Sequence, residues 1–72
     1  MTEHRFGEVL RDYRVAKGLT QEALAERAGM STRGISDLER GVHSLPRQDT
    51  LRLLLNALAL TPADRAVLEA EF

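Results

Sequence analysis

Seventy-two residues with 43% apolar and 29% charged side chains make one small, well-mixed domain, 1–72, too apolar for disorder and too short for a second core. Ten Lys+Arg against eleven Asp+Glu leave a net charge of -1, which excludes a polybasic tail and a whole-chain electrostatic clamp on nucleic acid or membrane. Zero cysteines exclude a disulfide framework, a zinc knuckle and a thiol nucleophile, and suit a reducing cytosol. No apolar run approaches the ~20 residues of a membrane span. The opening Met1-Thr2-Glu3-His4-Arg5 leads into no apolar signal core, so a cytoplasmic protein is expected.

Helical spacing runs through the whole chain. Phe6, Val9, Leu10 and Tyr13 form the i, i+3, i+4, i+7 stripe of a first helix ending near Ala16, closed by Lys17-Gly18. Thr20 is a natural N-cap for a second helix, with Glu22 in its first turn, Leu24, Ala25 and Ala28 facing inward, and Gly29 as its stop. Two residues later Ser31 caps a third helix, about Ser31-Arg40, carrying Ile35 and Leu38 and ending at Gly41. Residues Val42 to Pro46 read as a loop. A fourth helix starts near Gln48, with Asp49 in its first turn and Leu51, Leu54, Leu55 and Leu58 on one face. Thr61-Pro62-Ala63-Asp64 opens a short fifth helix through Ala66, Val67 and Ala70. No segment alternates with period 2, so the expected class is all-α: a compact bundle of five short helices. Phe72 is an apolar terminus. Either it marks a domain cut from a longer protein, with a following segment to cover the ring, or it folds back on Leu68.

The informative segment is Gln21 to Arg40, QEALAERAGMSTRGISDLER. Two helices meet at a sharp angle only if the first is small where the second crosses it, which Ala25 satisfies. The turn must also allow a positive φ, which Gly29 satisfies. Both helices must send apolar residues into the shared wedge, as Leu24, Ala28, Met30, Ile35 and Leu38 do. Such a unit leaves the outer face of its second helix free to enter a major groove about 12 Å wide.

With LTQEALAERAGMS, ISDLERG and PRQDTLRLLLNAL in that order, the chain from Phe6 to about Leu60 resembles the lambda-repressor/Cro-like, or XRE-type, helix-turn-helix family. STRGISDLERG together with PRQDTLRLL also resembles the N-terminal domains of large multidomain regulators from actinobacteria. The resemblance implies a sequence-specific binder of double-stranded DNA in transcription regulation, with helices 2 and 3 as the helix-turn-helix and no cofactor. It implies base contacts from Thr32, Arg33, Ser36 and Asp37 on the exposed face of the third helix. Arg33 is the best base reader, because its fork matches guanine O6 and N7. Thr32 would meet a phosphate or a thymine methyl. Asp37 would accept from cytosine N4, although unpaired it would repel phosphate. Gln21 at the start of the second helix would hold a phosphate, helped by the helix dipole. Lys17, Arg40 and Arg47 would add phosphate contacts, with a minor-groove role as the alternative for Arg47. Arg14 and Glu39 match positions that form a partly buried ion pair in family members; two solvated charges are the alternative. One module makes few phosphate contacts, so the DNA-binding reading also implies a homodimer on a two-fold symmetric site, with further C-terminal domains as a candidate source of that symmetry, and a place on the nucleoid.

Gly34 departs from a good helix sequence, since a helical glycine costs ~1 kcal/mol against alanine. It either lets DNA approach closely or is neutral. The leucines of Leu51 to Leu58 cover too few turns for a zipper and read as core, with Leu53 left over as a candidate dimer contact; Tyr13 also reads as core. His4 and His43 have no neighbouring ligands, so no metal site is expected. Ser31, Ser36 or Ser44 with His43 and Asp37 nominally spell a hydrolytic triad. The chain has no nucleophile elbow and little room for a pocket, so it is not expected to be an enzyme. The remaining competitor is a helix-turn-helix kept as a protein-interaction module, which the net charge of -1 favours. Against it, Arg33, Arg40, Arg47 and Arg52 outnumber Asp37, Glu39 and Asp49 on the presumed DNA side.

Overall fold

The computed structural model describes residues 5–42 and 46–72; His4, His43 and Ser44, and the middle of the Val42 to Pro46 loop, lie outside them. Five helices follow in chain order: α1 (Phe6–Ala16), α2 (Gln21–Ala28), α3 (Thr32–Arg40), α4 (Gln48–Leu58) and α5 (Pro62–Ala70). No strand occurs among the described residues.

Local chemistry sets most of the boundaries. The hydroxyls of Thr20, Ser31 and Thr61 accept hydrogen bonds from the backbone N–H of Ala23, Gly34 and Asp64, at 2.9, 3.0 and 3.2 Å. Each satisfies an N–H that has no partner inside its helix. At the end of α2, Gly29 has φ 70°, where a side chain would be strained. Met30 N–H then donates to Ala25 C=O, and Gly29 N–H to Glu26 C=O, the crossed pair that closes a helix and reverses the chain. The same pair of bonds recurs after α1 and after α3.

Between α4 and α5 the boundary has no glycine. Ala59 is left-handed at φ 51°, a conformation that costs an L-residue roughly 1–2 kcal/mol. The turn sends Leu60 into the core and brings Thr61 to cap α5. Lys17 Nζ donates to the Ala59 C=O at 3.3 Å, which helps satisfy the end of α4.

One apolar core joins all five helices: Phe6 and Leu10 from α1, Leu24, Ala25 and Ala28 from α2, Ile35 from α3, Leu51, Leu54, Leu55, Ala57 and Leu58 from α4, and Leu68 from α5. Met30, Leu38, Val9 and Tyr13 are partly buried against it. The fifth helix forms where the sequence places it. Its buried residue is Leu68, while Ala66, Val67 and Ala70 all face outward. Leu53 is also exposed. The Phe72 ring packs edge-on against Phe6 at 6.4 Å between centroids, so the side chain reaches α1. Tyr13 Oη donates to Asp64 Oδ1 at 3.2 Å, a second tie between α1 and α5. Burial, then that bond and the carboxylate's charge, raise the pKa of the phenol.

The wedge is formed where α3 packs on both α2 and α1. Ala25 and Ala28 keep the α2 side low, and Gly7 does the same for α1. A Cβ at Gly7 would collide with the Leu38 carbonyl oxygen and lie 2.7 Å from that of Glu39. Both obstacles are backbone, so neither can swing aside. Gly7→Ala is therefore expected to lower stability by about 3 kcal/mol, the upper end of overpacking costs. Against the ~3–5 kcal/mol such a small core supplies, the thermal midpoint should fall steeply. A midpoint within a few degrees of wild type would contradict the contact.

Gly34 is the opposite case. An added Cβ there would sit 3.2 Å from Ser31 Oγ and 3.5 Å from Met30 Cε, both side-chain atoms. Ala23 occupies the equivalent place behind Thr20 and keeps its capping bond at 2.9 Å. Gly34→Ala should raise stability, by less than about 1 kcal/mol because it lies in the first turn. An unchanged or lower melting midpoint would refute this.

Candidate nucleic-acid interface

The candidate surface is built around one buried carboxylate. Glu39, near the end of α3, has a side chain only 3% exposed. Arg14 from α1 meets it with its fork: Nε donates to Oε2 at 2.6 Å and Nη2 to Oε1 at 3.0 Å. The same guanidinium donates from Nη1 to the Leu19 C=O at 2.8 Å, which holds the α1–α2 connection. The hydrogen bonds to Glu39 raise the pKa of Arg14 against the opposing effect of burial. Gln21, in the first turn of α2, donates from Nε2 to Glu39 Oε1 at 3.0 Å. Among the described residues no buried side-chain nitrogen or oxygen lacks a partner.

This network decides how the outer face of α3 is presented. Ile35 is fully buried and fixes the inward side. On the other side Thr32 is exposed and the Arg33 side chain is 88% exposed. The expected exposed face needs correction at two residues. Ser36 is half-buried, and Asp37 is turned inward with its side chain 15% exposed. Asp37 Oδ1 accepts from Arg40 Nη2 at 3.0 Å, and Oδ2 lies 3.9 Å from Arg33 Nε. An aspartate at i+4 from one arginine and i−3 from another reaches both on a helix surface.

The expected backbone-contacting residues are dispersed over four places. Gln21 lies beside Glu39 at the start of α2. Lys17 is exposed past the end of α1 and engaged with Ala59. Arg40 is exposed at the end of α3, and Arg47 is exposed at the N-cap of α4, where no side chain caps the helix. Among the described residues no three His, Cys, Asp or Glu side chains gather in a way that would hold a metal ion. No helix of the described residues is long and apolar enough to cross a membrane.

A short α2 turned through a glycine onto an α3 that shows an arginine to solvent is the arrangement of a helix-turn-helix. The chain belongs to the helix-turn-helix domain family, of the lambda-repressor/Cro-like type: residues 5–68 match the family's model. It is 40% identical over 55 residues to the HTH-type transcriptional repressor RghR of Bacillus subtilis, a match covering 76% of this chain. The same match covers 41% of that repressor, so the chain spans less than half of its length. The restriction-modification controller protein C.AhdI from Aeromonas hydrophila superposes with a TM-score of 0.77 at 34% identity, over 86% of this chain and 92% of that one. The clp gene regulator ClgR from C. glutamicum superposes with a TM-score of 0.78 at 33% identity, over 93% and 86% of the two chains.

Sequence reasoning missed the Gln21–Glu39 bond and the inward turn of Asp37. The i−3 and i+4 spacing to Arg40 and Arg33 was a readable signal for the second; the first joins residues 18 positions apart and had none. Glu39→Ala would leave the Arg14 charge buried without its counter-ion and should cost about 3–5 kcal/mol. In a denaturation double-mutant cycle with Arg14→Ala, the double variant should be much less destabilised than the sum of the singles. Strict additivity would mean that the two charges act independently.

Proposed function

We propose that these five helices form the DNA-binding domain of a transcriptional regulator, with α3 entering the major groove of double-stranded DNA. The observation that carries this reading is the asymmetry of α3: Ile35 and the Glu39 network hold one side rigidly, while the Arg33 fork stands in solvent at the helix's N-terminal end. A recognition helix works in that way, by reading base edges from its first turns while the rest of the domain fixes its angle. The family and its transcriptional-regulator relatives support the same reading and give no support to an enzyme.

In this reading Arg33 pairs with guanine, Thr32 meets a thymine methyl or a phosphate, and Ser36 reaches a base edge from its half-buried position. Gln21, Lys17, Arg40 and Arg47 fix the register by phosphate contacts. Gln21 keeps a second amide N–H for this after donating to Glu39. Neutralisation of Glu39 by Arg14 removes one carboxylate from the face presented to phosphates. A single module of this size reads few base pairs, so the domain works as a homodimer whose two α3 helices lie about 34 Å apart on a two-fold symmetric site. Action on chromosomal DNA puts the protein in the cytoplasm, with the nucleoid.

The test is enrichment of duplexes from a random pool at physiological salt, with Arg33→Ala run beside wild type. A short motif should emerge, palindromic if two copies bind. The variant should lose preference at one base pair per half-site, at about 1–3 kcal/mol. No enrichment, with binding that disappears as salt rises, would leave only nonspecific phosphate contact and favour a protein-interaction role.

A further inference from the structure

The helix proposed to enter the groove carries no net charge, because Arg33 and Arg40 are balanced by Asp37 and Glu39. Glu39 is committed to Arg14 and Gln21 in the interior. Asp37 is differently placed. Its carboxylate is drawn in, 15% exposed, while the two guanidinium groups beside it stand out at 88% and 63%. The contact with Arg33 is made through Nε, at 3.9 Å, so it does not use the two terminal nitrogens of that fork.

Resting on the DNA-binding reading above, we propose that Asp37 is a specificity-determining residue that acts as a counter-ion on the two arginines rather than by reading a base. A guanidinium already facing a carboxylate gains less from a phosphate, since fewer counterions are released and the carboxylate itself repels the backbone. Nonspecific complexes consist almost entirely of phosphate contacts, so they lose most. Guanine recognition through the two terminal nitrogens of Arg33 leaves the Nε–Asp37 contact intact, so the specific complex keeps its main contact. Asp37 thereby holds the fork toward the bases and away from the strands on either side.

The experiment measures affinity of the full chain for the enriched duplex and for a scrambled duplex of equal length across a salt series. Wild type, Asp37→Asn and Asp37→Asn combined with Arg33→Ala are compared, each checked for a cooperative melt. Asp37→Ala, which improves helix propensity, supplies the same loss of charge if the asparagine variant does not fold. Removing the charge should tighten binding to the scrambled duplex and steepen its salt slope by roughly one. The ratio of specific to nonspecific affinity should fall on the order of tenfold. Adding Arg33→Ala should remove most of the gain on scrambled DNA. The proposal is overturned if affinity for the enriched duplex drops with the scrambled one unchanged, which would make Asp37 a base reader, or if neither moves. Failure of the DNA-binding reading itself would show earlier, as a wild-type chain that enriches no sequence, and the proposal would fall with it.

Discussion

Glu39 places a carboxylate where water barely reaches, and the domain is arranged around the need to satisfy it. Desolvating such a group costs several kcal/mol unless an opposite charge and further hydrogen bonds meet it with good geometry. Here the charge comes from α1, through both arms of Arg14, and the extra hydrogen bond from α2, through Gln21. Three helices therefore converge on two oxygen atoms. The direction of α3 follows from that convergence, because its last turn cannot move without breaking the set.

The Gly7 contact lies at the same place in the fold. The carbonyls of Leu38 and Glu39 rest directly on the backbone of α1, where even one methyl group would not fit. A side-chain clamp and a close backbone approach thus act on the same turn of α3, one specifying orientation and the other distance. The opposite, N-terminal end of α3 is held by Ser31 as N-cap and by Ile35 in the core, and it is there that Arg33 projects. Rigidity on the inside and exposure at one arginine are two sides of one packing solution.

Charge follows the same logic. A net charge of -1 argues against a nucleic-acid partner when it is read as a sum. The fold distributes it unevenly: the Glu39 carboxylate is cancelled internally, and Asp37 is turned in between two outward arginines. Exposed acids such as Glu8 and Asp12 on α1, and Glu69 on α5, belong to other helices. The outer face of α3 therefore presents two exposed arginines while both of its carboxylates are drawn in and paired.

The five helices, their N-caps at Thr20, Ser31 and Thr61, and the glycine stops at Gly29 and Gly41 were readable in the sequence, because capping and amphipathic spacing act over a few residues. The leucine face of α4 was readable for the same reason. Pairing of Arg14 with Glu39 entered through family resemblance, since nothing within either helix announces it. The left-handed Ala59, the exposure of Ala66, Val67 and Ala70, and the close approach at Gly7 had no local signal. Each depends on what another helix brings near, as do the bond from Gln21 to Glu39 and the inward position of Asp37. By itself the sequence determined which segments are helical and, for α1 to α4, which faces are apolar. Only the tertiary structure decided which charges meet, because side chains 18 and 25 positions apart come together through the crossing of α1, α2 and α3.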